Sequence, residues 1–401
     1  MGQVRKPAVA GQFYPGDAVT LTRQLSDFFK KARKEPVPGK IVALISPHAG
    51  YMYSGQVAAH SFKLLDGLEF ETVVVISPCH VAYFPGASIY NGGSYETPLG
   101  QIPVDTSLAG AIADSDERIF LSTKGHDFAG GRGEHSLEVE LPFLQLVLGR
   151  FKLVPVVMGD GDWATCEALG QALSTVLEGR EALIVASTDL SHFHAYDEAV
   201  RLDNVVLDHV NAFDPKELHS DLASKVCEAC GGGPVVATML AAKGLGADKA
   251  KVLQYANSGD VTGDRSGVVG YMAAVMYDSK AAAEGRKKSE EEKVDVETGL
   301  SENDKETLIN IARTTIEHRV KGEALPEFEV DSPILKESRG AFVTIHKHGR
   351  LRGCIGYIQA IKPLYITIQE MAEAAALNDH RFPPVSPEEL DALDVEISVL
   401  T

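Results

Sequence analysis

Four strand-like runs each end on residues that can hold a metal or move a proton. Ile41–Ile45 leads into Ser46-Pro47-His48, and Thr72–Ile76 into Ser77-Pro78-Cys79-His80. Ala182–Ala186 leads into Ser187-Thr188-Asp189-Leu190-Ser191-His192, and Val252–Ala256 into Asn257-Ser258-Gly259-Asp260. In open α/β sheets ligands bind in the crevice outside the C-terminal ends of the strands. His and carboxylate groups delivered there can converge on one divalent metal. Two His and a carboxylate with open positions suit non-haem Fe(II), and a His-rich tetrahedral set suits Zn(II). Such a metal activates water, polarises a carbonyl or binds oxygen. A single His after a strand is more often a hydrogen-bonding loop residue, but the repeated Ile-Ser-Pro endings favour the metal reading for His48 and His80. Asp189 and His192 are three apart on a turn and can face one pocket, whereas His194 reads as a solvated neighbour.

Further candidates follow along the chain. In Gly133-Glu134-His135-Ser136-Leu137-Glu138, the pairs Glu134/Glu138 and His135/Glu138 are one helical turn apart. The plain reading is an acidic helix start that suits the macrodipole. The chemical reading is an acid/base or ligand-supporting cluster containing Glu134 and His135. Cys227-Glu228-Ala229-Cys230 is one Cys-x-x-Cys pair without a second, so it cannot close a structural zinc site, and Gly231-Gly232-Gly233-Pro234 reads as a turn or helix entry. Near the end, Leu351-Arg352-Gly353-Cys354-Ile355-Gly356 places two glycines around a Cys, which allows close backbone approach or a bulge. There Arg352 can hold an anion and Cys354 can act as a nucleophile; a buried structural Cys is the competing reading. No phosphate-binding, dinucleotide or nucleophile-elbow motif is present.

The elements that position these groups form two blocks. Up to about Asp278, short β-branched runs alternate with amphipathic stretches, such as Leu21, Leu25, Phe28 and Ala32 with Asp17 as N-cap. This predicts an α/β domain over 1–278, with a central, largely parallel sheet flanked by helices. Residues 279–300 are charged and lack aromatics, as a solvated linker does. From Ser301 to 401 a helical pattern, a hairpin around Lys347-His348-Gly349, a helix near Leu364–Leu377 and a strand at Val395–Leu400 predict a smaller α+β domain. That block stops on a strand, so it is expected to be an incomplete copy.

Composition narrows the function classes. Of 401 residues, 38 are Lys or Arg and 56 are Asp or Glu, a net charge of −18, which disfavours nucleic acid and anionic membranes as partners. No apolar run approaches the roughly 18–20 residues that span a bilayer. The N-terminus lacks a signal-peptide core, and Lys6 breaks a myristoylation pattern begun by Gly2, so a cytoplasmic protein is expected. The five scattered cysteines do not form a disulfide framework.

The first block resembles the Memo family. The matching segments are Arg5–Gly11 with Phe13-Tyr14-Pro15, Pro47–Tyr51 with Ser54-Gly55, Ser77–His80, Glu134–Ser136 with Glu138 and Leu141-Pro142, and Asp189 with His192. The resemblance implies a fold similar to class III extradiol dioxygenases, with His48 and His80 as metal ligands and His192, beside Asp189, as general base. Animal members carry a Cys near the last motif; that position by count is Val261, so the resemblance implies Asp260 as the third ligand, with Asp264 close by, or a water in place of a third protein ligand. The implied metal is Fe(II), with Zn(II) or Cu as alternatives. The implied activity is oxidoreductase chemistry on a small-molecule or peptide ligand; a non-catalytic adaptor and a zinc hydrolase are the rivals. The second block resembles the start of an AMMECR-type domain through LRGCIG, Asp379–Pro384 and Glu388-Glu389-Leu390. That pairing implies a radical S-adenosylmethionine protein as partner, in the AmmeMemoRadiSam set.

Overall fold

The structure, a computed structural model, describes residues 3–126, 133–281, 300–326, 328, 330, 332–347, 350–357 and 360–400. The chain divides into two compact units, Met1–Lys287 and Lys288–Thr401. Most of the charged stretch, 282–299, and the hairpin tip at 348–349 lie outside the described residues. Ser279, at the start of that stretch, donates its N–H to Asp248 of the first unit, and Leu300, at its end, is buried in the second unit's core.

In the first unit the strands are β1 (Val4–Arg5), β2 (Lys40–Ser46), β3 (Thr72–Pro78), β4 (Ala87–Ile89), β5 (Ser94–Thr97), β6 (Gly100–Pro103), β7 (Ile119–Leu121), β8 (Lys152–Met158), β9 (Ala182–Ser187), β10 (Asp189–His194), β11 (Lys249–Asn257) and β12 (Val268–Asp278). Nine of them form one sheet in the order β10-β12-β2-β9-β3-β8-β4-β7, with β11 also on β12. The central neighbours β2, β9, β3 and β8 are parallel. β12 joins β2 antiparallel, and β4 joins β8 antiparallel, so the parallel centre has mixed flanks. Because β11 and β2 both run antiparallel to β12, β11 ends on the same edge as β2.

Apolar runs without alternation form these strands because both sheet faces are covered. On β3, Val73 and Val75 point to one face and Val74 and Ile76 to the other; Leu183 and Val185 against Ile184 and Ala186 repeat this on β9. Helices α1 (Ala18–Lys31), α2 (Tyr51–Phe62) and α4 (Leu141–Leu148) pack on the first face. Helices α3 (Thr106–Ala113), α5 (Trp163–Val176), α6 (Tyr196–Ala212) and α8 (Gly232–Gly244) pack on the second, beside the shorter α7 (Pro215–Ala223), and the short α9 (Ser258–Thr262) follows β11. Asp17 caps α1 as expected, accepting the Thr20 N–H at 2.9 Å.

The second unit is a β14-β13-β15 antiparallel sheet of β13 (Ala341–Lys347), β14 (Arg350–Tyr357) and β15 (Leu393–Val399), with helices α10 (Glu302–Lys321) and α11 (Leu364–Leu377). Ser301 and Asp304 form a capping box on α10. The glycines of LRGCIG mark the close approach read from sequence: a Cβ at Gly353 would lie 2.2 Å from the Ala375 carbonyl oxygen of α11.

Candidate metal centre

β2, β9 and β3 are adjacent, so their C-terminal ends stand side by side, about 4.8 Å from strand to strand. His48 follows β2, His80 follows β3, and Ser187 and Asp189 lie at the end of β9 between them. The two imidazoles lean over that end, with ring centroids 5.3 Å apart. The third partner is Cys230, on the loop before α8, whose Sγ is 3.2 Å from His48 Nε2. Ligand atoms of His48, His80 and Cys230 all lie within 4.8 Å of one another. Two imidazole nitrogens and one sulfur at this spacing fit a divalent transition metal with positions left open.

The surrounding atoms aim these ligands. His80 Nδ1 lies 3.0 Å from Glu134 Oε1, leaving Nε2 for the centre. The same carboxylate takes the N–H groups of His80, His135 and Ser136 and the Ser136 hydroxyl. Burial works against the Glu134 charge, but the His80 hydrogen bond and charge outweigh it and hold the carboxyl well below its usual range. Glu134 is thus hydrogen-bonded to His80, as the ligand-supporting reading of this cluster expects. Burial also opposes protonation of His80, yet the Glu134 hydrogen bond prevails and raises its pKa. For His48, burial and then the neighbouring His80 and His135 push the pKa well below normal, so the ring is neutral and able to ligate. Burial, then the charge of Asp189, pushes the Cys230 thiol up. A cation bound here would favour the thiolate, so its uptake would release a proton.

Two cavities adjoin the centre. One, of about 500 Å3, is lined by His135, Asp189, His192 and the rings of Phe13, Tyr53 and Tyr271. The other, of about 610 Å3, is lined by Cys230, Cys227, Glu228 and His219, and His192 lines both. His135 stacks on His80 with centroids 4.8 Å apart. Burial lowers the pKa of both His135 and His192, so each presents a neutral ring. Asp189 is pushed up to about 7 by burial, against the opposing N–H of His48, which it accepts at 2.9 Å. β10 is bulged on both sides of His192, and Phe193 takes a left-handed φ of 62° with its ring exposed at the mouth of the first cavity.

Three expectations need correction. Asp260 is not at the centre: it closes the capping box of α9, accepting from the Asn257 N–H at 2.9 Å and the Tyr196 hydroxyl at 2.8 Å. Val261 beside it is exposed. The candidate ligand missed from sequence is Cys230, set aside there as half of an unpaired Cys-x-x-Cys. The available signal was the glycine after it. A Cβ at Gly231 would lie 2.2 Å from the Ser187 carbonyl oxygen, so glycine lets this loop return to the end of β9. Finally, Arg352 is not free for an anion. Its guanidinium is held by Glu389 at 2.8 and 3.1 Å and by the Pro383 carbonyl at 2.9 Å. Cys354 accepts from the Thr344 hydroxyl at 3.2 Å, and its N–H binds Asp379. Neither residue lines the two cavities beside the centre.

No helix among the described residues is long and apolar enough to cross a membrane. Residues 5–275 match the family model described as Memo-like protein, and residues 309–401 match the AMMECR1 model. A MEMO1 family protein of Methanothermobacter thermautotrophicus is 40% identical over 281 residues, 67% of this chain and 98% of that protein. A MEMO1 family protein of Methanosarcina mazei is 40% identical over 283 residues, covering 68% and 99%. An uncharacterized protein from Pyrococcus horikoshii of known structure is 41% identical over 23% of this chain and 49% of its own, with a TM-score of 0.23. With most of its length matched by the family model and by full-length relatives, the chain belongs to the Memo family and carries an AMMECR1-type second domain.

Proposed function

We propose that the first domain is a metal-dependent oxidoreductase, holding one divalent transition metal on His48, His80 and Cys230 and acting on a small-molecule or peptide ligand. The observation that carries this is the convergence of three ligand atoms within 4.8 Å beside a cavity lined by neutral His135 and His192. A metal held there, Fe(II) by the family's likeness to extradiol dioxygenases, would supply Lewis acidity and a binding position for dioxygen. The chain's own residues do the rest. The rings of Phe13, Tyr53 and Tyr271 exclude water from the ligand. A neutral imidazole nitrogen of His192 takes a proton from the bound ligand and returns it later. Asp189 holds the His48 backbone through its N–H and so keeps the first ligand in place.

Metal analysis after anaerobic purification, with oxygen uptake by the Fe(II)-loaded protein, tests the reading. Metal near one equivalent in wild type, lost in His48→Ala/His80→Ala, supports it. A metal-free wild type that takes up none of Fe(II), Zn(II) or Cu ends it. Cys230 favours a second reading: a thiolate with two imidazoles is a donor set that suits catalytic Zn(II). In that case the protein is a hydrolase, and His192→Ala abolishes ester or phosphoester cleavage by the Zn(II)-loaded form. A radical S-adenosylmethionine protein as partner rests on the domain pairing, and co-purification of the full chain with such a protein is its test.

A further inference from the structure

Beneath His48 lies a buried chain of polar groups whose hydrogens can be counted. The Ser187 hydroxyl oxygen is 2.8 Å from His48 Nδ1, 2.8 Å from Glu140 Oε1 and 2.7 Å from the Ser136 carbonyl oxygen. Ser187, Ser136 and Glu140 are all fully buried. A hydroxyl has one hydrogen to give and two lone pairs to fill. The Ser136 carbonyl can only accept, so the Ser187 hydrogen goes there. Both other neighbours must then donate to Ser187, since two oxygens or an oxygen and a bare nitrogen at 2.8 Å without a hydrogen repel.

We propose that Glu140 is a positioning residue: a neutral carboxyl whose O–H donates to Ser187, which makes His48 donate from Nδ1 and leaves Nε2 bare toward the metal. Three further facts agree. Oε2 of Glu140 makes no hydrogen bond of normal geometry, nor does the nearby Ser46 hydroxyl, and an ionised carboxylate left so poorly supplied in the interior is costly. Burial pushes the Glu140 pKa up to about 8. His48 Nε2 is the nitrogen that faces Cys230 Sγ, so the tautomer set from below is the one the centre requires. The tautomer of a metal-binding His is set by what its other nitrogen bonds, and such outer partners are typically worth 10–100-fold in metal affinity. Here that partner is a proton-bearing acid acting through a serine, the inverse of the ionised Glu134 that orients His80.

The inference rests on the proposed metal centre for its purpose, but its first test needs no metal. Infrared spectra of the metal-free full chain at neutral pH should show a protonated-carboxyl stretch that vanishes in Glu140→Gln. Long-range 1H–15N correlation should show His48 protonated at Nδ1 in wild type and in Glu140→Gln, whose amide still donates, and a tautomer mixture in Glu140→Leu. Zn(II) titration should find Glu140→Gln within about threefold of wild type and Glu140→Leu weaker by about tenfold or more. Absence of the carboxyl band, or an unchanged tautomer and affinity in Glu140→Leu, overturns the proposal. If Glu140→Leu does not fold, the band and the Glu140→Gln tautomer still decide. If wild type binds no Zn(II), the metal reading fails, while the band and tautomer judge this one separately.

Discussion

The two domains each gather their most distinctive polar residues in one place and use them in opposite ways. In the second domain the motif residues bind one another. Glu389 takes Lys347 and Arg352, Asp379 takes Arg381 and the Cys354 N–H, and Arg381 also reaches the Cys354 carbonyl at 2.8 Å. Donors and acceptors there are spent on clasping the segment 379–389 to β14. In the first domain the motif carboxylates are spent as well, Glu134 on His80 and Glu138 on Arg5, Tyr14 and the N–H groups of Ala8 and Val9. What differs is the remainder: ligand atoms of His80, His48 and Cys230 are left within 4.8 Å of one another, next to cavities. A dense motif therefore marks a site only where some atoms are left over after the local hydrogen bonds are counted.

The largest effect expected from that contrast is on metal binding. Cys230→Ala should weaken Zn(II) binding by more than about 100-fold, beyond what outer partners carry, while Cys354→Ala leaves it unchanged. Calorimetric titration of the two variants checks this, and equal losses would erase the distinction. The next is stability. Arg5 and Glu138 pair with side-chain exposures of 3% and 0%, so Arg5→Ala strands a buried charge and should cost about 3–5 kcal/mol. Arg352→Ala, at a more accessible pair, should cost about 1–2 kcal/mol. Urea unfolding followed by a probe in each domain compares them.

Acid should separate the domains in the same order. His126 is buried against the Tyr95 hydroxyl at 2.6 Å and the Ser88 carbonyl at 3.0 Å. Burial lowers its pKa to about 3, against about 6.5 unfolded. The unfolded state then binds the proton first, so this contribution to first-domain stability is full above about pH 6.5 and lost as pH falls toward 3. Asp379 and Glu389 are held low chiefly by Arg381 and Arg352, so what they add to the second domain persists to lower pH, eroding only below about pH 5. Comparing urea unfolding of the first domain at pH 7 and pH 5.5 reads the His126 share of this loss: His126→Gln should reduce the pH dependence that wild type shows. The remaining effects concern glycine. Gly231→Ala should lower metal affinity about tenfold by shifting Cys230, and Gly353→Ala should cost about 1–3 kcal/mol in the second domain with no change in metal.

Much of this was legible in the chain. The strand cores at Ile41–Ile45, Thr72–Ile76 and Ala182–Ala186 read correctly because burial on both faces demands unbroken apolar runs. His48, His80, Asp189 and His192 read correctly as neighbours because each follows a strand within a few residues, and strands running in one sense bring their ends to one edge. Asp260 failed the same rule. It follows β11, which ends on that edge, but the turn of α9 needed its carboxylate for a cap.

Sequence by itself determined the two-domain order, the α/β character and the strand ends that carry two of the three candidate ligands. Those follow from local patterns of burial and from period-2 geometry, which neighbouring residues express. Tertiary structure alone decided the third ligand, the distinction between clasp and site at Arg352, and the role of Glu140. Cys230 is 182 residues from His48, and no local pattern records that a glycine-bearing loop returns to within 3.2 Å of it. Which donors remain unspent depends on every partner that folding brings near, and that sum exists only in three dimensions.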